Sequence, residues 1–236
     1  MNSRERLQTT LNHQQPDRVC VDFGATPVTG IHVSVVHRLR QRLLGDPHHL
    51  VRTIEPYQML GEIDDDLRQA LGIDVIGTLA RKSMFATEGK DWIPFTLFDG
   101  TTCLVPGAFR VTKAPDGGWL IYPEGDRSVP PSGHMPEGGY FFDTIIRQEP
   151  IDDAKLDPAD NLEEFRVFGE EDLAYYRARK EWYASRRECG AMVVVPGAAF
   201  GDIALVPAPF LIHPKGIRDV QEWYLSTTTR RDYVYA

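Results

Sequence analysis

Four places in the chain carry residue types that do chemistry. Asp22 sits beside Gly24 in VCVDFG, residues 19–24, a short β-prone run closed by glycine. In a barrel of parallel strands a carboxylate at that end of a strand faces the site. The same residue also suits an Asx-turn that merely closes the strand. Asp74 lies in GIDVIG among apolar residues. A carboxylate buried there needs a partner or takes a raised pKa; otherwise it serves only to cap the start of the strand. His213, Lys215 and Arg218 cluster in LIHPKGIRD, where a helix start and three basic groups can gather an anion. Their plainer reading is a solvated helix N-terminus. Tyr140 stands in HMPEGGYFFD next to two glycines and two phenylalanines, as a lid over a flat ligand or as an anchor for a loop.

Two further features limit the chemistry. Cys20, Cys103 and Cys189 are odd in number and widely spaced, which fits neither a disulfide framework nor a CxxC metal site. They read as reduced, packed thiols. The net charge of −8 opposes a nucleic-acid surface, because phosphate neutralisation needs a basic face. The aromatic, mixed-charge stretch at 172–187 therefore reads as a half-buried helix. No apolar run approaches the ~20 residues of a membrane span, and residues 1–18 lack the apolar core of a signal peptide. No membrane partner is expected, and the cytoplasm is the default location.

The elements that must position these residues follow from local signals. With 42% hydrophobic and 25% charged residues over 236 positions, the composition is that of an ordinary globular protein. Asn2 and Glu5 form a capping box for a helix over residues 2–14, ended by Pro16-Asp17. Residues 19–24 form a first strand. A second helix starts near Gly30 with Ile31, Val35, Leu39 and Leu43 on its inner face, and Gly45 and Pro47 stop it. A third runs from Asp64 to Leu71 with Gly72 as its left-handed stop, and a second strand covers 73–76, closed by Gly77.

Residues 98–122 break this rhythm. Asp99-Gly100, Pro106-Gly107 and Pro115-Asp116-Gly117-Gly118 separate short β-branched and aromatic runs, which predicts a β-meander. Residues 124–139 read as an irregular loop. The block at about 95–140 is taken as an insertion, since it is too short to bury its own core. Helix returns over 158–189 with a break at Gly169 and a stop at Gly190. A third, buried strand at 192–195 ends at Pro196-Gly197, and residues 214–226 form a further helix. Strands joined by helices point to an α/β fold with parallel strands. Thr229 then caps a new helix, with Asp232 in its first turn, which Tyr233, Val234 and Tyr235 begin but do not complete. The chain accordingly reads as the N-terminal part of a larger fold.

Several stretches taken in order resemble the uroporphyrinogen decarboxylase superfamily. SRERLQTTLNHQQPDRVCVDFG is similar to its opening of helix, PDR and strand, and LRQALGIDVIG to its second strand region. FDGTTCLVP, PPSGHMPEGGYFFD and HPKGIRDVQEWY resemble the subgroup described as uroporphyrinogen decarboxylase-like or corrinoid-dependent methyltransferases. The resemblance runs end to end over residues 1–236. It implies a (β/α)8 TIM barrel with its site at the carboxyl ends of the strands, of which this chain supplies the N-terminal portion, interrupted by the β-meander insertion. It also implies a tetrapyrrole or corrinoid ligand, with a corrinoid-carrying protein as a candidate partner. The true decarboxylases carry an RQAGR-type basic motif after the first strand and an acid in an FSDIL-type motif after the second. Here those regions read GATPVTGIH, without arginine, and GTLARK, without an acid; Arg81 and Lys82 partly replace the missing cations. The methyltransferases use zinc held by a His-x-Cys motif and a later Cys; in relatives that motif lies beyond the part matched here, so the resemblance implies corrinoid and zinc as cofactors of the full-length protein with no zinc ligand in this chain, and the motif's absence here bears neither way on methyl transfer. The resemblance thus favours methyl transfer between a methyl-corrinoid and a thiol-type acceptor. Porphyrinogen decarboxylation is the alternative within the family. An inactive remnant or a binding module is the alternative outside it.

Overall fold

The computed structural model describes residues 1–165, 167–195 and 202–236. The first helix, α1 (Ser3–Leu11), begins where its capping box demands. The Asn2 side chain accepts from the Glu5 amide, and Glu5 accepts from the Asn2 amide. Its second helix, α2 (Val33–Leu44), ends on Gly45 at φ +65°, and α3 (Asp65–Leu71) ends on Gly72 in the same left-handed conformation. A short hairpin, β1 (Thr53–Glu55) with β2 (Leu60–Gly61), separates α2 from α3.

The inner face of α2 differs from expectation. Ile31 and Leu39 pack against the core as expected, but Val35 and Leu43 are exposed and Val33, Val36 and Arg40 are buried instead. Val33 and Val36 lie against Gly61 of β2.

After α3 comes β3 (Val75–Thr78), which pairs in parallel with β10 (Gly190–Val193). The expected first strand is not formed. Residues 19–24 are irregular, with Val19 and Phe23 exposed, although the Asp74 amide donates to the Val21 carbonyl at 2.9 Å. The expected buried strand at 192–195 is also corrected. The strand starts at Gly190, which is therefore no helix stop, and Met192, Val193 and Val195 are each at least 40% exposed. Its closing turn, Pro196-Gly197, lies outside the described residues.

Between these two strands lies antiparallel structure. β4 (Ile93–Thr96) and β5 (Thr102–Val105) form a hairpin. β6 (Val111–Lys113), β7 (Trp119–Ile121), β8 (Gly133–Met135) and β9 (Asp143–Thr144) form a four-stranded meander in sequence order. Gly117 supplies the positive φ of the β6–β7 turn at +83°. Residues 133–135, expected in a loop, are a strand because their backbone completes the β7 edge. The block shares its core with the segment before it. Phe85, Phe109, Ile121, Met135 and Phe142 pack with Val33, Val36, Met59 and Leu67 in one buried cluster. Phe85 and Phe109 meet Phe142 edge-on, with centroids 5.6 and 6.0 Å away.

The remaining helices are α4 (Glu170–Ala184), α5 (Val220–Thr229) and α6 (Arg231–Tyr235). Residues 158–161 form only a 3₁₀ turn rather than the start of a long helix, and α5 begins at Val220, capped by Asp219, rather than near Pro214. Thr229 closes α5 instead of capping α6; its hydroxyl donates back to the Leu225 carbonyl. The fold is mixed α/β, with small sheets of two and four strands. Among the described residues no helix is long and apolar enough to cross a membrane.

Candidate functional site

A cleft opens at the carboxyl end of β3. It has a volume of about 440 Å³ and runs between residues 75–81, the loop at 23–25 and one face of α4. Two local features create it. Gly77 lets the loop close in, because a Cβ there would lie 1.6 Å from the Ala25 carbonyl oxygen. Along α4, Tyr175, Arg179 and Trp182 fall at spacings of four and three, which lines them up on one face, and Arg186 follows just past the helix end. Tyr175 donates to the Leu79 carbonyl at 3.1 Å and holds the helix across the strand end.

Most cations of this cleft are already neutralised. Arg81 binds Glu88, Asp172 at 2.7 Å and Glu171 at 3.2 Å. The Asp172 hydrogen bond, against the opposing effect of burial, lifts its guanidinium above the ordinary value. Lys82, which does not line the cleft, binds Glu124 at 2.9 Å. Arg52 pairs with Glu62, and Arg68 and Arg186 share Asp65. Arg179 differs. Its Nε donates to Thr78 Oγ1 at 2.9 Å and its Nη2 to the Gly77 carbonyl at 3.3 Å, and its guanidinium lies 4.0 Å from the Trp182 ring centroid. It makes no ion pair among the described residues. Arg179 and Trp182 were absent from the sequence-derived candidates. Their signal was present in the 172–187 stretch as a cation repeating with aromatics at helical spacing.

Asp74 lies at the opposite end of β3 and does not line the cleft. It is fully buried and accepts from Ser3 Oγ at 2.7 Å, Arg6 Nη1 at 2.6 Å, both Arg18 Nη atoms at 2.8 Å and the Val21 amide at 2.9 Å. Burial alone pushes its carboxyl up. The Val21 amide, the Ser3 hydroxyl and the two guanidiniums outweigh burial and hold it below its ordinary value. A carboxylate so saturated with donors is an anchor: it ties α1 and the Pro16-Asp17-Arg18 turn to β3. Asp22 receives the Ala25 amide at 3.3 Å, the geometry of a turn, and also stays outside the cleft.

The basic cluster near residue 215 is not a free anion site either. Arg218 is buried, with its Nη atoms on Glu163 at 3.2 Å and Glu164 at 3.0 Å and further bonds to the Asp160 and Lys215 carbonyls. The Lys215 amide donates to Glu163, while the His213 and Lys215 side chains are exposed. Tyr140 is about half exposed and borders a separate groove on α2. Its carbonyl accepts from His32 Nε2 at 2.8 Å, and the rings of His32 and Tyr140 meet edge-on at 5.5 Å. The six sequence-derived candidates thus stand at four separate places.

Among the described residues no three His, Cys, Asp or Glu side chains converge to hold a metal, so none of them offers zinc a ligand set. All three cysteines are free; Cys103 and Cys189 are buried. Comparison of the chain with protein-family models, with curated proteins and with solved structures yields no match.

Proposed function

We propose that this chain forms the N-terminal part of a (β/α)8-barrel enzyme related to the uroporphyrinogen decarboxylases, with its ligand site in the cleft beyond β3. Support for the scaffold comes from the segments that carry the resemblance. The opening helix, the PDR turn and the GID segment meet in one network through Arg6, Asp17, Arg18 and Asp74. The parallel pairing of β3 with β10 suits a barrel, whose site lies at the carboxyl ends of its strands. In this reading the protein works in the cytoplasm, with its thiols reduced.

One observation carries the choice of chemistry: Arg81 and Lys82 are both bound to acids. They cannot also clamp the acidic arms of a uroporphyrinogen without releasing those carboxylates. Residues 24–32 bring no arginine, and residues 77–82 no acid. Anionic arms left unpaired on binding are costly. The ligand that suits such a cleft carries few free carboxylates, as a corrinoid with amidated arms does. Methyl transfer involving a methyl-corrinoid and a thiol-type acceptor, with a corrinoid-carrying protein as partner, is therefore the reading we adopt. The test is to express the full-length gene product and measure corrinoid binding alongside carbon dioxide release from uroporphyrinogen. Corrinoid binding without decarboxylation is the expected result. Turnover of uroporphyrinogen to coproporphyrinogen at an enzymatic rate overturns it.

A further inference from the structure

Arg179 is the cation the cleft leaves over. Four other arginines line the same space, and each has a carboxylate within 3.5 Å. Arg179 has none among the described residues, yet it is held in place. Thr78 Oγ1 and the Gly77 carbonyl take its Nε and one Nη2 hydrogen, and Trp182 lies against its face. A guanidinium carries five N–H donors in a fixed fork. With Nε and Nη2 tied to β3, no described residue takes a hydrogen from Nη1. Fixing the head in advance removes the entropy cost of ordering a long side chain when a ligand arrives.

We propose that Arg179 makes this cleft a subsite for a single anionic group, a carboxylate or a phosphate, carried by a small organic ligand. This rests on reading the cleft as the ligand site, and not on which reaction follows. The other arginines set the limit of one. Each of them must surrender an internal carboxylate to bind a second anionic arm, whereas Arg179 surrenders nothing. Trp182 reports on occupancy, because its indole lies between the guanidiniums of Arg179 at 4.0 Å and Arg186 at 4.3 Å.

The experiment titrates the chain with phenyl phosphate, benzoate and neutral benzyl alcohol, following tryptophan fluorescence and heat. At least one charged probe is expected to bind about 10-fold more tightly than benzyl alcohol, and the two charged probes distinguish phosphate from carboxylate. Arg179→Gln is expected to remove that preference, a loss of about 10-fold or more for a charge-assisted pair. Lys82→Gln, which removes an exposed cation already held by Glu124, is expected to leave binding within about 2-fold. Where Arg179→Gln perturbs the fold, Arg179→Lys keeps the charge without the fork and is expected to retain part of the preference. Equal binding of charged and neutral probes by the unaltered protein overturns the proposal. So does an unchanged preference in a folded Arg179→Gln. Loss of corrinoid binding with the charged-probe preference intact refutes the methyltransferase reading alone.

Discussion

Replacing Asp74 by alanine tests whether the residue anchors the fold or performs chemistry. The substitution removes the acceptor of five hydrogen bonds at the start of β3. Their contributions are unequal. Arg18 is 43% exposed on its side chain, and an ion pair of that kind contributes about 1 kcal/mol or less. The buried part is larger: the Val21 amide and the Arg6 Nη1 both lose a partner where water does not reach freely. Breaking one side of a buried pair costs about 3–5 kcal/mol. Arg6 keeps its two bonds to Asp17 and one to the Met1 carbonyl, which places the expected loss near the lower limit. At a urea slope of about 3 kcal/mol/M, a loss of about 3 kcal/mol moves the unfolding midpoint by about 1 M. The assay is urea denaturation followed by tryptophan fluorescence and far-UV circular dichroism, with the slope unchanged. Acid should show the same anchor. The folded carboxyl lies below its ordinary value of 3.8, so its stabilisation is complete above that pH and is lost as pH falls through it, because the unfolded chain takes the proton first. A midpoint shift under about 0.3 M would refute the anchor and return Asp74 to the list of catalytic acids.

Gly77→Ala is expected to expel the loop at 23–26 from β3, since the new methyl meets the Ala25 backbone at 1.6 Å. A lowered melting temperature with faster proteolysis at that loop checks this, and an unaltered melt contradicts it. Arg218→Met leaves Glu163 and Glu164 without their shared cation and should cost about 3 kcal/mol or more, read as a urea midpoint shift; a neutral outcome shows the cluster to be dispensable. His32 caps α2 through Nδ1, which accepts from the Ser34 amide, while Nε2 serves the Tyr140 carbonyl, so the cap requires the neutral ring. Burial outweighs the Tyr140 carbonyl and Asp99 and, with Arg38, lowers its pKa from 6.5, so the unfolded chain protonates first. Stability should therefore be complete above pH 6.5 and fall as pH drops below it. This slope should be absent in His32→Asn, and its persistence there would assign it to another group.

Sequence alone determined the features whose causes lie within a few residues. The Asn2–Glu5 capping box, the left-handed stops at Gly45 and Gly72 and the Gly117 turn depend on backbone groups no more than about four positions away, and all are where their residues place them. Of the expected meander only the β6–β7 hairpin was legible in this way; β5 pairs with β4 rather than with β6, and β8 lies in a stretch that reads as a loop. Strand identity and burial were not. Residues 19–24 are β-prone, yet a single backbone bond, from the Asp74 amide to the Val21 carbonyl, joins them to the start of β3, and Val193 is exposed because nothing described covers it. The candidate site was least legible of all. A carboxylate or a guanidinium has the same local sequence whether it is free or saturated. What decides is the arrival of partners such as Ser3, Arg6 and Arg18 at Asp74, from 56 to 71 residues away. Arg218 read as a free cation and is buried among acids, while Arg179 read as part of a helix face and stands without one. Only tertiary structure makes that distinction, because charge neutralisation depends on distance in space and not on position along the chain.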